Sequence, residues 1–332
     1  AEHKGNYSLN DKVFNAHQKC ANGNDKMVYY VASRFNLPKN FKDMVYLSQV
    51  TQNECIADAT EHWRRNKGRC NGSMYWQLND CWGVCSWSSI DYYGNYKALQ
   101  YGARHFNAPV SVSIENTEEY IKLFVLNDLK EKQDVTVTYD IFDFVSGTKQ
   151  SDKKDVSIDA VKNEFVFELD VKSLAKAYDL KRTGVAVKLF KNGELLQQKT
   201  VLFDKEKKLD LPKAKLKTRI EIKEDRLDIT VKSDAYARLV KIESADSVLP
   251  FSDNFFDILP NESKKVMIYK DSSMSLRKLA ESITVYSLCD IKFSKDKIDT
   301  LLKQAKVFIS PVNISNALYH GKIAKDVELC DD

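Results

Sequence analysis

No apolar run in the chain approaches the ~18 residues that a membrane-spanning helix needs, so no membrane partner is expected. The sequence opens on no recognisable leader either: Ala1-Glu-His-Lys-Gly is polar and runs into no apolar h-region. Histidine is scarce, and the five present (His3, His17, His62, His105, His320) are scattered at spacings that match no ligand pattern. Cysteine builds no framework: Cys20, Cys55, Cys70, Cys81, Cys85, Cys289 and Cys330 are odd in number, and none stands in a Cys-x-x-Cys. These absences exclude a small disulfide-stapled fold and leave no metal and no cofactor expected. Reduced thiols in a cytoplasmic protein are the simplest account. Charge of one sign is missing too. The 51 basic and 47 acidic residues leave +4, and they are interleaved, so no nucleic-acid partner is expected. Asn-x-Ser triplets at Asn6, Asn71, Asn261 and Asn313 say little about secretion, because an Asn-rich chain makes them by chance.

What is present is 332 residues at 43% hydrophobic and 30% charged content, enough for two or three domains with cores. Residues 1 to about 20 read as loop. Asn22-Gly-Asn-Asp then offers caps for a helix carrying Met27, Tyr30, Val31 and Phe35 at helical spacing, with Leu37-Pro38 as its stop. A second helix is predicted over about 42–66, its apolar side made by Val45, Leu47, Val50, Cys55, Ile56, Ala59 and Trp63. Arg64, Arg65 and Lys67 suit its carboxyl end, and Gly68 lies just past it. A last helix is expected over about 96–106.

Beyond Asn107-Ala-Pro109 the apolar period switches from 3.6 to 2. Val110, Val112 and Ile114 alternate, as do Ile121, Leu123 and Val125; Val135, Val137 and Tyr139; Phe165, Phe167 and Leu169; and Val185, Val187 and Leu189. Ser146-Gly147 and Asn192-Gly193 stand between runs, and Asn-Gly there signals a hairpin. The pattern is that of an immunoglobulin-like sandwich over 108–205. A second sandwich is expected over 206–290, from Ile220 and Ile222; Leu227, Ile229 and Val231; Val240 and Ile242; Val266 and Ile268; and Ile283 and Val285. In the tail, 291–332, Ile298, Leu301, Leu302 and Ala305 have helical spacing and Val307–Ile309 reads as a strand. No role follows for it.

Three of the four tryptophans (Trp76, Trp82, Trp87) fall within residues 72–94. Met74, Tyr75, Trp76 and Leu78 read as a short buried strand between Gly72 and Gly83, followed by Asn79 and Asp80. Indole faces beside amide and carboxylate groups suit a sugar, whose CH face stacks while its hydroxyls find partners. The same residues also suit a core with a polar strand end.

The string Tyr75-Trp-Gln-Leu-Asn-Asp-Cys-Trp, with Ser86-Trp-Ser-Ser-Ile-Asp-Tyr-Tyr-Gly and Lys97-Ala-Leu-Gln-Tyr, resembles the last barrel strand, loop and helix of β-mannosidases in glycoside hydrolase family 2. Tyr46-Leu-Ser-Gln and Glu61-His-Trp-Arg-Arg-Asn resemble the helix before it, and Phe251-Ser-Asp-Asn-Phe-Phe-Asp-Ile-Leu-Pro resembles the signature of that family's terminal immunoglobulin-like domain. The resemblance covers roughly 7–290. It implies a multidomain chain: an incomplete (β/α)8-barrel carboxyl-terminal segment over 1–107, followed by two all-β immunoglobulin-like sandwiches. A complete barrel needs about 250 residues.

By resemblance, Trp76 faces the sugar, Asn79 and Asp80 follow at the carboxyl end where barrel sites lie, and Trp82 and Trp87 wall the mouth. Gly83 stands where the family commonly has proline, which loosens that loop. Retaining glycosidases use two carboxylates about 5 Å apart. The family's acid/base glutamate follows an Asn on an earlier strand, and its nucleophile lies in a Ser-Glu-Phe-Gly type segment. Neither context occurs here. Asn53-Glu54 falls in a helical stretch, and Asn163-Glu164 and Asn261-Glu262 fall in or beside sandwich strands, so no catalytic residue is assigned. The expectation is the carboxyl-terminal portion of an enzyme acting on β-mannoside oligosaccharides, inactive alone, whose exposed barrel remnant invites self-association. The rivals are a non-catalytic carbohydrate-binding module and another family 2 glycosidase, acting on glucosaminides, glucuronides or galactosides.

Overall fold

The structure, a computed structural model, describes residues 9, 12–245, 247–270 and 275–294. The helix and strand expected in the tail lie outside the described residues. The chain divides into two units, with the division falling inside one helix between Thr51 and Gln52.

The first unit holds the described residues up to Thr51, residues 84–86, and the described residues from Ile291 on. Its helices are α1 (Lys12–His17), α2 (Gly23–Arg34) and the first half of α3 (Phe41–Arg65). The loop expected through residue 20 is corrected by α1. Six residues are too few for a helix that stands alone in water, and Phe14 packs edge-on to Phe41 with ring centroids 5.2 Å apart. Val31, Phe35, Met44, Tyr46, Leu47 and Val50 form the buried set. On α3, Leu47 and Val50 are buried as the spacing predicts, whereas Cys55 and Trp63 are exposed.

The second unit holds residues 52–83 and 87–290. It contains the rest of α3, then α4 (Ala98–Phe106), and then two antiparallel sandwiches. In the first sandwich a sheet of β1 (Val110–Asn116), β2 (Tyr120–Asn127) and β5 (Asn163–Asp170) faces one of β3 (Gln133–Asp143), β4 (Gly147–Ile158), β6 (Thr183–Lys191) and β7 (Glu194–Leu202). The strand order is β1-β2-β5 in one and β4-β3-β6-β7 in the other. Helix α5 (Val171–Ala177) follows β5, and the Asp170 carboxylate accepts from the Ser173 amide at 2.7 Å as its cap. The second sandwich pairs β12-β9-β8 with β11-β10-β13: β8 (Leu216–Ile222), β9 (Arg226–Ser233), β10 (Ala237–Ser244), β11 (Phe256–Ile258), β12 (Ser263–Tyr269) and β13 (Ile283–Tyr286), with α6 (Leu276–Ser282) before the last. Every alternating run picked out in the sequence lies in one of these strands.

The helices of this unit are fastened to both sandwiches. The Arg64 side chain, 11% exposed, donates to the Phe106 carbonyl, to the Ala108 carbonyl and Asp128 carboxylate at 2.8 Å each, and to the Ser111 hydroxyl at 3.0 Å. In return, the Asn163 amide donates to the Arg64 and Arg65 carbonyls at 2.8 and 3.0 Å, which satisfies acceptors that a helix end leaves open. Arg238 on β10 donates to Glu54 of α3 at 2.8 Å, to Glu206 at 3.1 Å and to Asp257 of β11 at 2.7 Å. Asp257 also accepts from the Tyr236 hydroxyl at 2.7 Å and from the Thr200 hydroxyl of β7. Burial alone would lower the Arg238 pKa, but the adjoining carboxylates hold it well above its ordinary value. A separate apolar joint of Phe142, Phe144, Ala186, Tyr236 and Leu259 links the sandwiches, with the Tyr236 amide donating to the Phe144 carbonyl at 2.7 Å.

Candidate functional site

The sequence places its candidate site residues in the stretch between α3 and α4. Met74, Tyr75, Trp76 and Leu78 do not form the buried strand expected there. Met74, Trp76 and Leu78 are 99%, 72% and 56% exposed, and the segment is an irregular loop. A strand exists only beside partners, and this one finds a single bridge, Asn79 to Ile90. The alternation itself is real. Tyr75 alone turns back, packing on Leu99, Ala103 and Phe106 of α4, with its ring 6.4 Å from that of Phe106.

The loop is held from behind. Asp80 is the buried member, and its side chain is only 1% exposed. Its Oδ2 accepts from the Ser88 hydroxyl at 2.6 Å and from Lys97 Nζ at 3.3 Å, while Lys97 also donates to Ser88 at 2.7 Å. The ion pair and the hydrogen bond supply the partners that burying a carboxylate requires. Around it the Asp80 amide donates to the Ile90 carbonyl at 3.2 Å, the Ile90 amide to the Leu78 carbonyl at 2.8 Å and the Ser89 amide to the Gln77 carbonyl at 3.0 Å. The Ser89 hydroxyl lies within hydrogen-bond reach of Leu78 O at 2.9 Å, Gln100 Oε1 at 2.7 Å and the Tyr75 hydroxyl at 3.2 Å. Downstream, Asp91 accepts from the amides of Tyr93 and Asn95 at 2.9 Å each and closes a turn at Gly94, whose φ is 87°.

Of the five candidates, Trp76, Asn79, Trp82 and Trp87 are exposed and Asp80 is not. The Trp87 carbonyl accepts from Gln52 of α3 at 2.8 Å. The Asn79 side-chain amide makes a long local bond, to the Asp80 carbonyl at 3.3 Å, while its backbone carbonyl accepts from Gln77 at 3.0 Å. The surface face is thus indoles and an amide, a set that stacks on rings and bonds hydroxyls, and Asp80 serves it from below. Ser88, Lys97, Gln100 and Tyr75 complete the support; they stand within the motif strings of the sequence, and Tyr75 in the expected strand, but none of them was given a site role there.

The three Asn-Glu pairs all have structural partners. Glu54 meets Arg238, Asn163 caps α3, and Glu262 pairs with Lys188 at 2.8 Å. Among the described residues no three His, Cys, Asp or Glu side chains gather as metal ligands, and no helix is long and apolar enough to cross a membrane.

Comparison with known proteins adds to this geometry. Residues 211–291 match a family model described as an Ig-fold domain of mannosidases, and residues 119–208 match a mannosidase Ig/CBM-like domain. The chain is 30% identical over 294 residues to a β-mannosidase of Bos taurus and 28% identical over 304 residues to that of Mus musculus, covering 82% and 86% of this chain. These matches take in 33% and 34% of the relatives, so the chain spans about a third of their length. Among solved structures, a β-D-mannosidase from Dictyoglomus thermophilum superposes with a TM-score of 0.75 at 27% identity, over 83% of this chain and 33% of that one. An exo-chitosanase from Amycolatopsis orientalis shares the fold at a TM-score of 0.62 and 17% identity, over 78% of this chain and 35% of that one.

Proposed function

The chain belongs with the β-mannosidases of glycoside hydrolase family 2, to whose carboxyl-terminal immunoglobulin-like domains its two sandwiches correspond, and from that premise we propose that it is the closing third of a retaining exo-β-mannosidase. In this reading residues 1–107 end a catalytic barrel, 108–205 and 206–290 are accessory sandwiches, and the loop over 72–94 forms part of the subsite for the terminal mannose. Both catalytic glutamates lie outside the chain, in a longer polypeptide. A reducing, cytoplasmic setting belongs to the same reading, on the odd cysteine count and a spacing that builds no disulfide framework.

One observation carries the reading. Trp76 presents a 72% exposed indole on a loop whose neighbouring carboxylate, Asp80, is fixed inside by Ser88 and Lys97. Ordinary folding economy would bury an indole and expose a carboxylate. The inversion makes sense when the aromatic face is kept for a ring-shaped ligand. The alternation fits this reading: Tyr75 packs on α4, while Met74, Trp76 and Leu78 are exposed, as side chains meant for a barrel interior would be without the rest of the barrel.

The test is Trp76→Ala in the longer polypeptide, assayed on an aryl β-mannoside alongside the β-glucosaminide, β-glucuronide and β-galactoside. A fall in kcat/KM of about 10-fold or more on the mannoside, with an unchanged melt, is expected, because stacking on a face is worth about 1.4 kcal/mol or more. Unchanged kcat/KM refutes the subsite. Preference for another of the three sugars transfers the reading to that glycosidase.

A further inference from the structure

We propose that segment 251–257 of the second sandwich is a positioning element for the tryptophan loop, acting through α4; its link to sugar binding rests on the function proposed above. The helix begins one residue after Lys97, so whatever fixes α4 fixes the anchor of the loop.

Segment 251–257 grips one side of α4 at several points. The Phe251 amide donates to the Tyr101 hydroxyl at 3.2 Å. Arg104 donates to the Ser252 carbonyl at 2.6 Å, and His105 Nε2 lies 2.9 Å from Asp253 Oδ1. Asp253 is held in turn by Lys264 of β12 at 2.9 Å, and Asn254 clamps β10 by exchanging bonds with the Ile242 amide and carbonyl at 2.8 and 2.7 Å. The ring of Tyr101 belongs to the apolar core of the second sandwich rather than to the helical layer, and it lies 5.9 Å from the ring of Phe255.

From Tyr101 the contacts run back to the loop. Its ring is edge-on to Tyr96 at 5.7 Å. Tyr96 bridges Ile90, and Ile90 bridges Asn79. Packed aromatics and a hydrogen-bonded ladder therefore join residue 255 to residue 79 without a break. The sandwich signature that resembled a domain hallmark is, in the fold, a seat for the helix behind the indoles.

The experiment is amide exchange on this chain, comparing the double variant Tyr101→Phe with Asp253→Asn against Ile268→Val. The first takes away the Tyr101 acceptor and the Asp253 charge, leaves the Arg104 bond to the Ser252 carbonyl, and keeps the rings. The second lowers the stability of the same sandwich from a fully buried position on β12 that makes none of the hydrogen bonds between 251–257 and α4. The amides of Asp80, Ser89 and Ile90 are expected to exchange on the order of 10-fold faster in the double variant, because each of the two bonds weakened shifts local opening by roughly 3-fold. They should stay within about 2-fold of the parent in Ile268→Val. Equal acceleration in both, or none in the double variant, overturns the proposal.

Kinetics on the longer polypeptide separate the two readings. The double variant is expected to raise KM for an aryl β-mannoside several-fold with kcat little changed. If Trp76→Ala impairs kcat/KM and the double variant does not, positioning is overturned while the subsite stands. If Trp76→Ala has no effect, the sugar reading falls and the exchange result decides positioning alone.

Discussion

Trp76 separates binding from stability within a single residue. A buried tryptophan truncated to alanine costs about 3–5 kcal/mol. At 72% exposure the same change is expected to move stability by no more than about 0.5 kcal/mol, which a thermal melt of the chain measures. Arg238 is the opposite case. Arg238→Met leaves Asp257, Glu206 and Glu54 grouped without their cation, and a loss of about 3–5 kcal/mol is expected in chemical denaturation. Asp253 supplies a pH dependence. Burial alone would raise its pKa, but the hydrogen bond and charge of His105, with Lys264, hold it at about 2 against an ordinary 3.8. A depressed carboxylate stabilises the fold above the unfolded pKa and loses that contribution as pH falls through the folded one. The gap corresponds to about 2 kcal/mol, present above pH ~4 and fading towards pH 2. Asp253→Asn should therefore destabilise the chain at pH 6 and make little difference near pH 2, as urea midpoints at the two values would record. The roles of Arg238 and Asp253 were not legible in the sequence, whereas Trp76 was singled out there by resemblance. Glu54 and Arg238 stand 184 positions apart, and no periodicity joins residues that meet only across folded elements.

At the scale of elements, the readable parts were those whose partners lie close along the chain. Asn192-Gly193 turns β6 into β7 with both residues at positive φ, 51° and 81°, as the dipeptide predicts. Alternation located most of the strands, though not β4, β7 or β11, and it did not show their irregularities. Val166 is skipped at a register shift between β2 and β5, so it is buried while Phe165 is 46% exposed, the reverse of the simple reading for that pair. The segment from Met74 to Leu78 had a strand's pattern and lacks a strand's neighbours, which no local signal reports. Its loop offers a test of its own. Lys97→Met removes the cation beside Asp80 and is expected to cost about 1–3 kcal/mol. The cost should be felt first in the bonds joining 77–80 to 88–90, with faster exchange there than in β3 and β6. Uniform exchange across the chain in that variant would show that the ion pair holds the unit rather than the loop.

For the molecule as a whole, hydrolysis of an aryl β-mannoside by the purified chain is expected to be absent, since the glutamates of the family's motifs are not in it; turnover above a mock preparation would sink the reading. A fragment of residues 108–290 keeps both sandwich cores except for Tyr101 and should melt cooperatively. It gives up the bonds from Glu54, Arg64, Tyr101 and Arg104, so its Tm should fall by at least several degrees, at roughly 2–4 °C per kcal/mol for a body of this size. Arg238 carries a consequence of another kind. Its anions come from α3, from the stretch between the sandwiches and from β11, three separate lengths of gene. Domains shuffle freely between genomes when the cut passes through water-facing contacts. Here a sandwich transplanted alone would arrive with a cation whose anions stayed behind. Recombination between relatives should tolerate breakpoints that carry Glu54, Glu206 and Asp257 with the arginine and reject those that part them, so that heredity counts the helix and its sandwiches as one unit.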